Sequence, residues 1–312
     1  MLVVGEVRTC LLHNSGPLPQ SLVAQVLELI PGQYVRSAER PIARAISPEL
    51  ARGVDCPLAA SRSRARGIGT VASHAVVTDG VVLQGSSTAR LHRAVVNHRL
   101  DWAHYTRQPS VIEVIGPRDV VDLADDYLAD ASPRATLDLG SMSEHVISLV
   151  QGRPELDHTT SIRLRATRVR WAARVGDAGD PACRVQLEGD VLRTLALTVR
   201  DNQVGLVERF CEDFALHDWL LTTIGQIIAQ ADRARAGGRD PMDVLRPAVE
   251  RLLHLWMPGA HVHPDLHPLW DALQSRPGFS RQWNAQVARI RDQIALETLR
   301  ALTETRRAST EW

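Results

Sequence analysis

Three imidazoles and a carboxylate fall within seven residues at His261, His263, Asp265 and His267, with His254 shortly before them. These are first-row metal donors, and a Zn²⁺ ion held by them would activate water for hydrolysis. The run sits between two stretches of helical periodicity, so one interhelical loop has to position all four donors. A competing reading has a Pro- and His-rich loop facing water, with His263 and Asp265 capping a helix that opens at Pro264. A second chemical stretch is Ser61 to Gly69. There Arg62, Arg64 and Arg66 offer forked donors to a phosphate, and Gly67 and Gly69 would let the backbone approach an anion. It lacks the third glycine and the following helix of a dinucleotide fingerprint. The competing reading is a solvated loop.

The histidine run resembles the H-x-H-x-D-H ligand set of metallo-β-lactamase-like hydrolases, departing from it by one residue between Asp265 and His267. That resemblance implies a zinc-dependent hydrolase, but the family sets its ligands by a fixed turn after a strand, whereas this run lies between helices. Two further groups are weaker. Arg163, Arg165, Arg168, Arg170 and Arg174 share a strand-like stretch with Trp171. Strand alternation puts the last three arginines on one face, where acids such as Glu188 and Asp190 on a neighbouring strand can pair with them. Cys56 is a loop thiol with no base nearby in sequence, although His74 or His104 can reach it in space.

The elements that must position these residues divide near Asp201. Before it the chain reads as short strands: Leu2 to Leu12, Tyr34 to Ile46, a hairpin of Ile68–Val77 and Val81–Leu91 through Asp79-Gly80, Val111 to Ile115, Ser161 to Val175, then Cys183–Glu188 and Val191–Val199 completing a meander. Short helices are expected after Pro19, from Pro117 to Leu128, and from a capping box at Ser141–Glu144 to Val150. Arg52 to Gly69 reads as a loop. From Asp201 to Ala236 apolar residues recur at helical spacing up to Gly237-Gly238, and only helices follow: Asp240 to Trp256, Pro264 to Leu273, and Phe279 to Thr305. The sequence thus predicts an α+β protein. An antiparallel or mixed sheet fills residues 1–200, and a helical region fills residues 201–312.

Composition excludes several functions. The chain has 312 residues, 36 basic and 36 acidic, and no lysine. Schiff-base enzymes, P-loop NTPases with a Walker A lysine, and protein kinases using the usual strand lysine are therefore ruled out. Zero net charge argues against non-specific nucleic-acid binding. Four scattered cysteines make no C-x-x-C pair. No stretch approaches the ~20 apolar residues of a membrane span, and the first residues lack signal-peptide character. The expectation is a soluble, cytoplasmic chain.

The segments Gly5–Leu12, Gly53–Leu58, Gly67–Ala72 and Leu206–Asp213 together resemble an uncharacterised actinobacterial protein family. That family is similar in gene context to a multi-protein set that includes a variant P-loop protein. The resemblance implies a cytoplasmic component that works with other proteins, and it carries no catalytic residues to transfer. The primary expectation is accordingly an interaction or scaffold subunit. Seven tryptophans and many arginines, residue types that interfaces favour, support it. The alternatives are a zinc hydrolase using His261 to His267, and a nucleotide or anion binder using Arg62 to Gly69.

Overall fold

The computed structural model describes residues 1–58, 65–117, 119–129, 136–160, 164–176, 181–189 and 191–308. In chain order its elements are β1 (Leu2–Leu11), α1 (Gln20–Leu27), β2 (Arg36–Ala38), β3 (Arg44–Ile46), β4 (Leu50–Pro57), β5 (Arg66–Thr78), β6 (Val82–Arg93), α2 (Trp102–Tyr105), β7 (Val111–Ile115), α3 (Leu123–Leu128) and α4 (Leu139–Gln151). Then come β8 (Thr167–Val175), β9 (Ala182–Glu188), β10 (Leu192–Val199), α5 (Val207–Ala236), α6 (Met242–Arg251), α7 (His267–Ser275) and α8 (Phe279–Ala308). The result is α+β, with a mixed ten-stranded sheet drawn from the first two hundred residues and long helices after it.

The hairpin β5–β6 organises the sheet. Asp79 and Gly80 both take positive φ, 52° and 63°, the type I′ geometry that matches strand twist. β5 and β6 pair only from Ala72 to Thr78 on the β5 side. Beyond that they splay, and β7 wedges between them, antiparallel to β5 and parallel to β6. Gly69 permits the wedge, because a Cβ there would lie 2.0 Å from the Val111 carbonyl oxygen. β1 continues the sheet on the far side of β6, followed by β8, β10 and the edge strand β9.

Two expectations fail here. The stretch from Arg52 is not a loop: β4 pairs antiparallel with β5 along its whole length. Its polar side chains hid a strand whose contribution is backbone pairing more than apolar packing. The third sheet segment is not a meander either. β8 lies parallel to β10, and β9 runs outside it, so the chain passes β10's place before turning back to fill it. A smaller revision concerns α4, which starts at Leu139. Its cap is Asp138, whose carboxylate accepts from the Ser141 amide at 3.0 Å.

Helices cover both faces of the sheet. On one, Val3, Val7, Val169, Trp171 and Leu195 share a core with α5 and the helices after it. Gly5 leaves the space that the Trp171 indole fills, since a Cβ there would come within 2.3 Å of the ring. On the other, Leu2, Val4, Ala89 and Ala172 pack with α3 and the start of α4, while Leu83, Ala75 and Val77 pack with α1 and the rest of α4. Most tryptophans are core: Trp171, Trp219, Trp270 and Trp283 are buried, and Trp256 stacks on Trp283 with centroids 4.4 Å apart. They are therefore spent on folding, and the tryptophan count gives no support to an interface. Among the described residues no helix is long and apolar enough to cross a membrane.

Candidate functional site

The 30-residue α5 spans about 45 Å. From Phe210 to Leu221 it is buried on every side, with the sheet beneath and the later helices above. A helix so enclosed is normally apolar all round. Here it carries Glu212, Asp213, His217 and Asp218, all buried, and each polar group has to find a partner because an unpaired one is costly. The partners come from distant parts of the chain. Asp213 accepts from the Gly259 amide at 2.8 Å. His217 donates from Nδ1 to the Asp213 carbonyl at 2.7 Å and accepts from the Met257 amide at 3.2 Å, which fixes its neutral tautomer. Glu212 and Asp218 anchor the two sites below.

The first site lies where α5 crosses β3, β5 and β6. Glu208 and Glu212 are one helical turn apart and face the sheet together. His74 Nε2 lies 2.6 Å from Glu212 Oε1, and Arg44 from β3 bonds Glu212 Oε2. His74 Nδ1 is 3.9 Å from Glu208 Oε1, which also accepts from the Ser86 hydroxyl at 3.3 Å. Gln84 donates to the Glu212 carbonyl at 2.9 Å. Burial disfavours charge on His74, but the Glu212 and Glu208 carboxylates outweigh it and lift the imidazole to about 9. Burial would raise Glu212 as well; His74 and Arg44 reverse that and hold it down at about 2. For Glu208 burial prevails over the pull of His74 and lifts the carboxyl to about 7. Glu208 is also the open member, its side chain 27% exposed against 3% for Glu212. Among the described residues this is the one set of three or more His, Cys, Asp or Glu side chains whose donor atoms gather as a metal needs, all within 4.8 Å of one another.

The second site opens where the outer side of α5 faces β9 and α8. It is a cleft of about 1220 Å³ lined by Arg165, Arg184, Arg193, Arg233 and Arg276, with one acid, Asp218. That acid is taken: Arg193 Nε donates to Asp218 Oδ1 at 3.0 Å and Arg193 Nη1 to the Gly189 carbonyl at 3.0 Å. Arg165, Arg184, Arg233 and Arg276 have no carboxylate partner among the described residues. Gln226, Gln230, Gln282 and Gln286 fill the spaces between them. Two buried acceptors, Asp218 Oδ2 and Gln286 Oε1, meet no donor. Among the described residues the cleft thus presents exposed, unpaired cations and, on its floor, unpaired acceptors, beside the edge strand β9.

The residues singled out by sequence go elsewhere. His261, His263, Asp265 and His267 do not form a ligand set. His261 is turned inward, and burial, with Arg44 and Arg209, lowers its imidazole to about 4. His263 caps the turn at Pro264 by accepting from the Asp265 amide, and His267 reaches the Val262 carbonyl at 3.3 Å. His263 Nδ1 lies 3.6 Å from Asp265 Oδ2, but among the described residues no third donor gathers with them, and the capping reading holds for His263. Arg62 and Arg64 lie outside the described residues. Arg66 is bound to Asp55 at 2.5 Å, and Gly67 and Gly69 sit inside β5, where Leu58, Ile112 and the Val111 backbone occupy the space a Cβ would need. The described part of that loop is therefore sheet, not an anion cradle. Arg168 and Arg170 share one face of β8 and both pair with Glu6 of β1, at 2.7 and 3.3 Å. Arg174 pairs with Asp125. The pairing expected for these arginines is present, with acids from β1 and α3; Arg163, Asp190 and the Glu188 side chain lie outside what is described. The Cys56 thiol is pushed up by burial, with the Asp55 charge adding to it, and so is not primed for attack.

No protein-family model matches the chain, and no curated protein and no solved structure is significantly similar to it. What the chain does has to be argued from the two sites themselves.

Proposed function

We propose that this protein is an interaction subunit that holds an acidic, extended segment of a partner protein in the arginine-lined cleft. The observation that carries this is the four arginines along one cleft that have no carboxylate partner among the described residues, in a chain whose β8 arginines Arg168, Arg170 and Arg174 are matched to acids. Forked guanidinium groups suit carboxylates. The edge strand β9 offers main-chain pairing to an extended chain, and the floor acceptors suit its amides. A single-stranded nucleic acid is favoured less. Phe279 is the one aromatic side chain in the lining and is buried, so no platform exists on which bases can stack. Exposed Leu296, Leu299 and Leu302 on α8 give a protein partner further contact that a small anion would not use. The four cysteines are free thiols, which fits work in the cytoplasm, and a variant P-loop protein is the partner that the family resemblance suggests.

The test is capture. Immobilised wild-type chain and an Arg184→Glu/Arg276→Glu variant are exposed to cytosol and to the co-encoded proteins. The reading expects a defined partner retained by the wild type and lost by the variant. Equal retention by both would place the interface elsewhere.

A further inference from the structure

We propose that His74, Glu208 and Glu212 form a binding site for a zinc-class divalent cation between β5 and α5. The case is geometric and independent of the cleft. Three metal-ligating side chains from two elements meet with every donor atom within 4.8 Å of the others. Donors around tetrahedral Zn²⁺, each about 2.0–2.2 Å from the ion, stand roughly 3.3 Å apart. Here His74 Nε2 and Glu212 Oε1 are 2.6 Å apart, and His74 Nδ1 and Glu208 Oε1 are 3.9 Å apart. These two distances belong to different ring nitrogens, of which an ion takes only one; with one donor atom from each side chain the three lie within 4.8 Å, close enough for side-chain rotation to close them onto an ion that replaces the proton between His74 and Glu212.

The surroundings are those of a held site. Arg44 grips Glu212 Oε2 and leaves Oε1 turned to the imidazole, the orienting role that outer partners play around bound metals. Ser86 donates to Glu208 Oε1, the oxygen nearer His74, and so holds that carboxylate beside the imidazole. His74 and Glu212 are buried, while Glu208 faces water and gives an entry path and a place for a coordinated water. One imidazole nitrogen with two carboxylate oxygens suits a borderline ion such as Zn²⁺ better than Mg²⁺ or Ca²⁺, which prefer oxygen alone. His74 ligates only as the neutral ring, so binding displaces its proton. The ion would staple the first turn of α5 to the middle of the sheet.

Untagged protein stripped with chelator is titrated with zinc chloride against a chromophoric zinc indicator, with thermal unfolding followed in parallel. One equivalent per chain and a raised Tm are expected. Glu208→Gln, at the partly exposed ligand, is expected to keep the fold, to leave the metal-free Tm at pH 7 no lower than that of the wild type, and to weaken zinc about tenfold or more. His74→Asn should abolish stoichiometric binding. Absence of stoichiometric zinc in the wild type overturns the proposal, as does unchanged affinity in both variants. Magnesium bound as tightly as zinc would overturn the donor-set argument.

Discussion

The two polar regions on α5 treat charge in opposite ways. At its first turns Glu212 is enclosed by His74 and Arg44, and little charge is left for anything outside except at Glu208. Two turns later the helix turns toward the cleft, where Arg193 pairs with Asp218 Oδ1 and four more arginines have no carboxylate partner among the described residues. The sheet faces show the same economy as the first region: buried Glu6 takes both Arg168 and Arg170. Charge in this protein is matched where it supports the fold. The unmatched arginines are thus better explained by a ligand than by stability, because exposed, unpaired side chains add little to folding.

This contrast can be broken by substitution. The largest effect is expected for Glu212→Gln, which leaves Arg44 and His74 buried without their anion. Breaking such a pair from one side costs about 3–5 kcal/mol, read as a fall in the denaturant midpoint. A loss under 1 kcal/mol would show that the cluster does not pin α5 to the sheet. In the cleft the order reverses. Arg184→Glu/Arg276→Glu should leave stability within about 0.5 kcal/mol of wild type while lowering affinity for an acidic partner at least tenfold. Unfolding by the double variant would mean that the cleft arginines are structural after all.

pH sharpens the comparison further. His74 has a folded-state pKa of about 9, above its ordinary 6.5, so its contribution is full below 6.5 and is lost as pH rises through 9. Glu208, raised from 4.5 to about 7, acts in the same direction, because ionising it inside the fold is unfavourable. Glu212, lowered from 4.5 to about 2, contributes fully above 4.5 and loses that contribution as pH falls toward 2. Metal-free protein should therefore be most stable near pH 4.5, weaken toward pH 7 as Glu208 loses its contribution, and weaken further to pH 9 as His74 loses its own. Denaturant titrations across that range check it, and Glu208→Gln should flatten the slope between pH 4.5 and 7. The smallest effect is expected at the histidine run. His263→Ala and His267→Ala should leave zinc content unchanged, measured by elemental analysis of untagged protein.

Much of the fold was legible because local chemistry agreed with it. Asp79-Gly80 demanded a type I′ turn, and the apolar period from Asp201 to Ala236 required one long helix. What escaped was long-range. β4 is polar in sequence and becomes a strand only through its partner. The order β8-β10-β9 depends on which edge the chain reaches first, and no local signal encodes that. The sites escaped for a related reason. His74 stood alone in a β-branched run, and Arg44 was one arginine among 36. Glu208 and Glu212 did leave a trace: two acids one turn apart inside an apolar stripe must be paired if the stripe is buried. The histidines at 261–267 are crowded in sequence, yet no three of those donors gather in space, whereas donors 134 and 138 residues apart converge.

The most direct test of the leftover arginines is fluorescence anisotropy with a labelled ten-residue peptide of alternating Glu and Thr, set against an oligothymidylate of equal charge. The expected result is saturable, salt-sensitive binding of the peptide by wild type, at least tenfold weaker in Arg184→Glu/Arg276→Glu, with the oligonucleotide bound less well. Equal peptide binding by both proteins, or a preference for the oligonucleotide, would contradict the account.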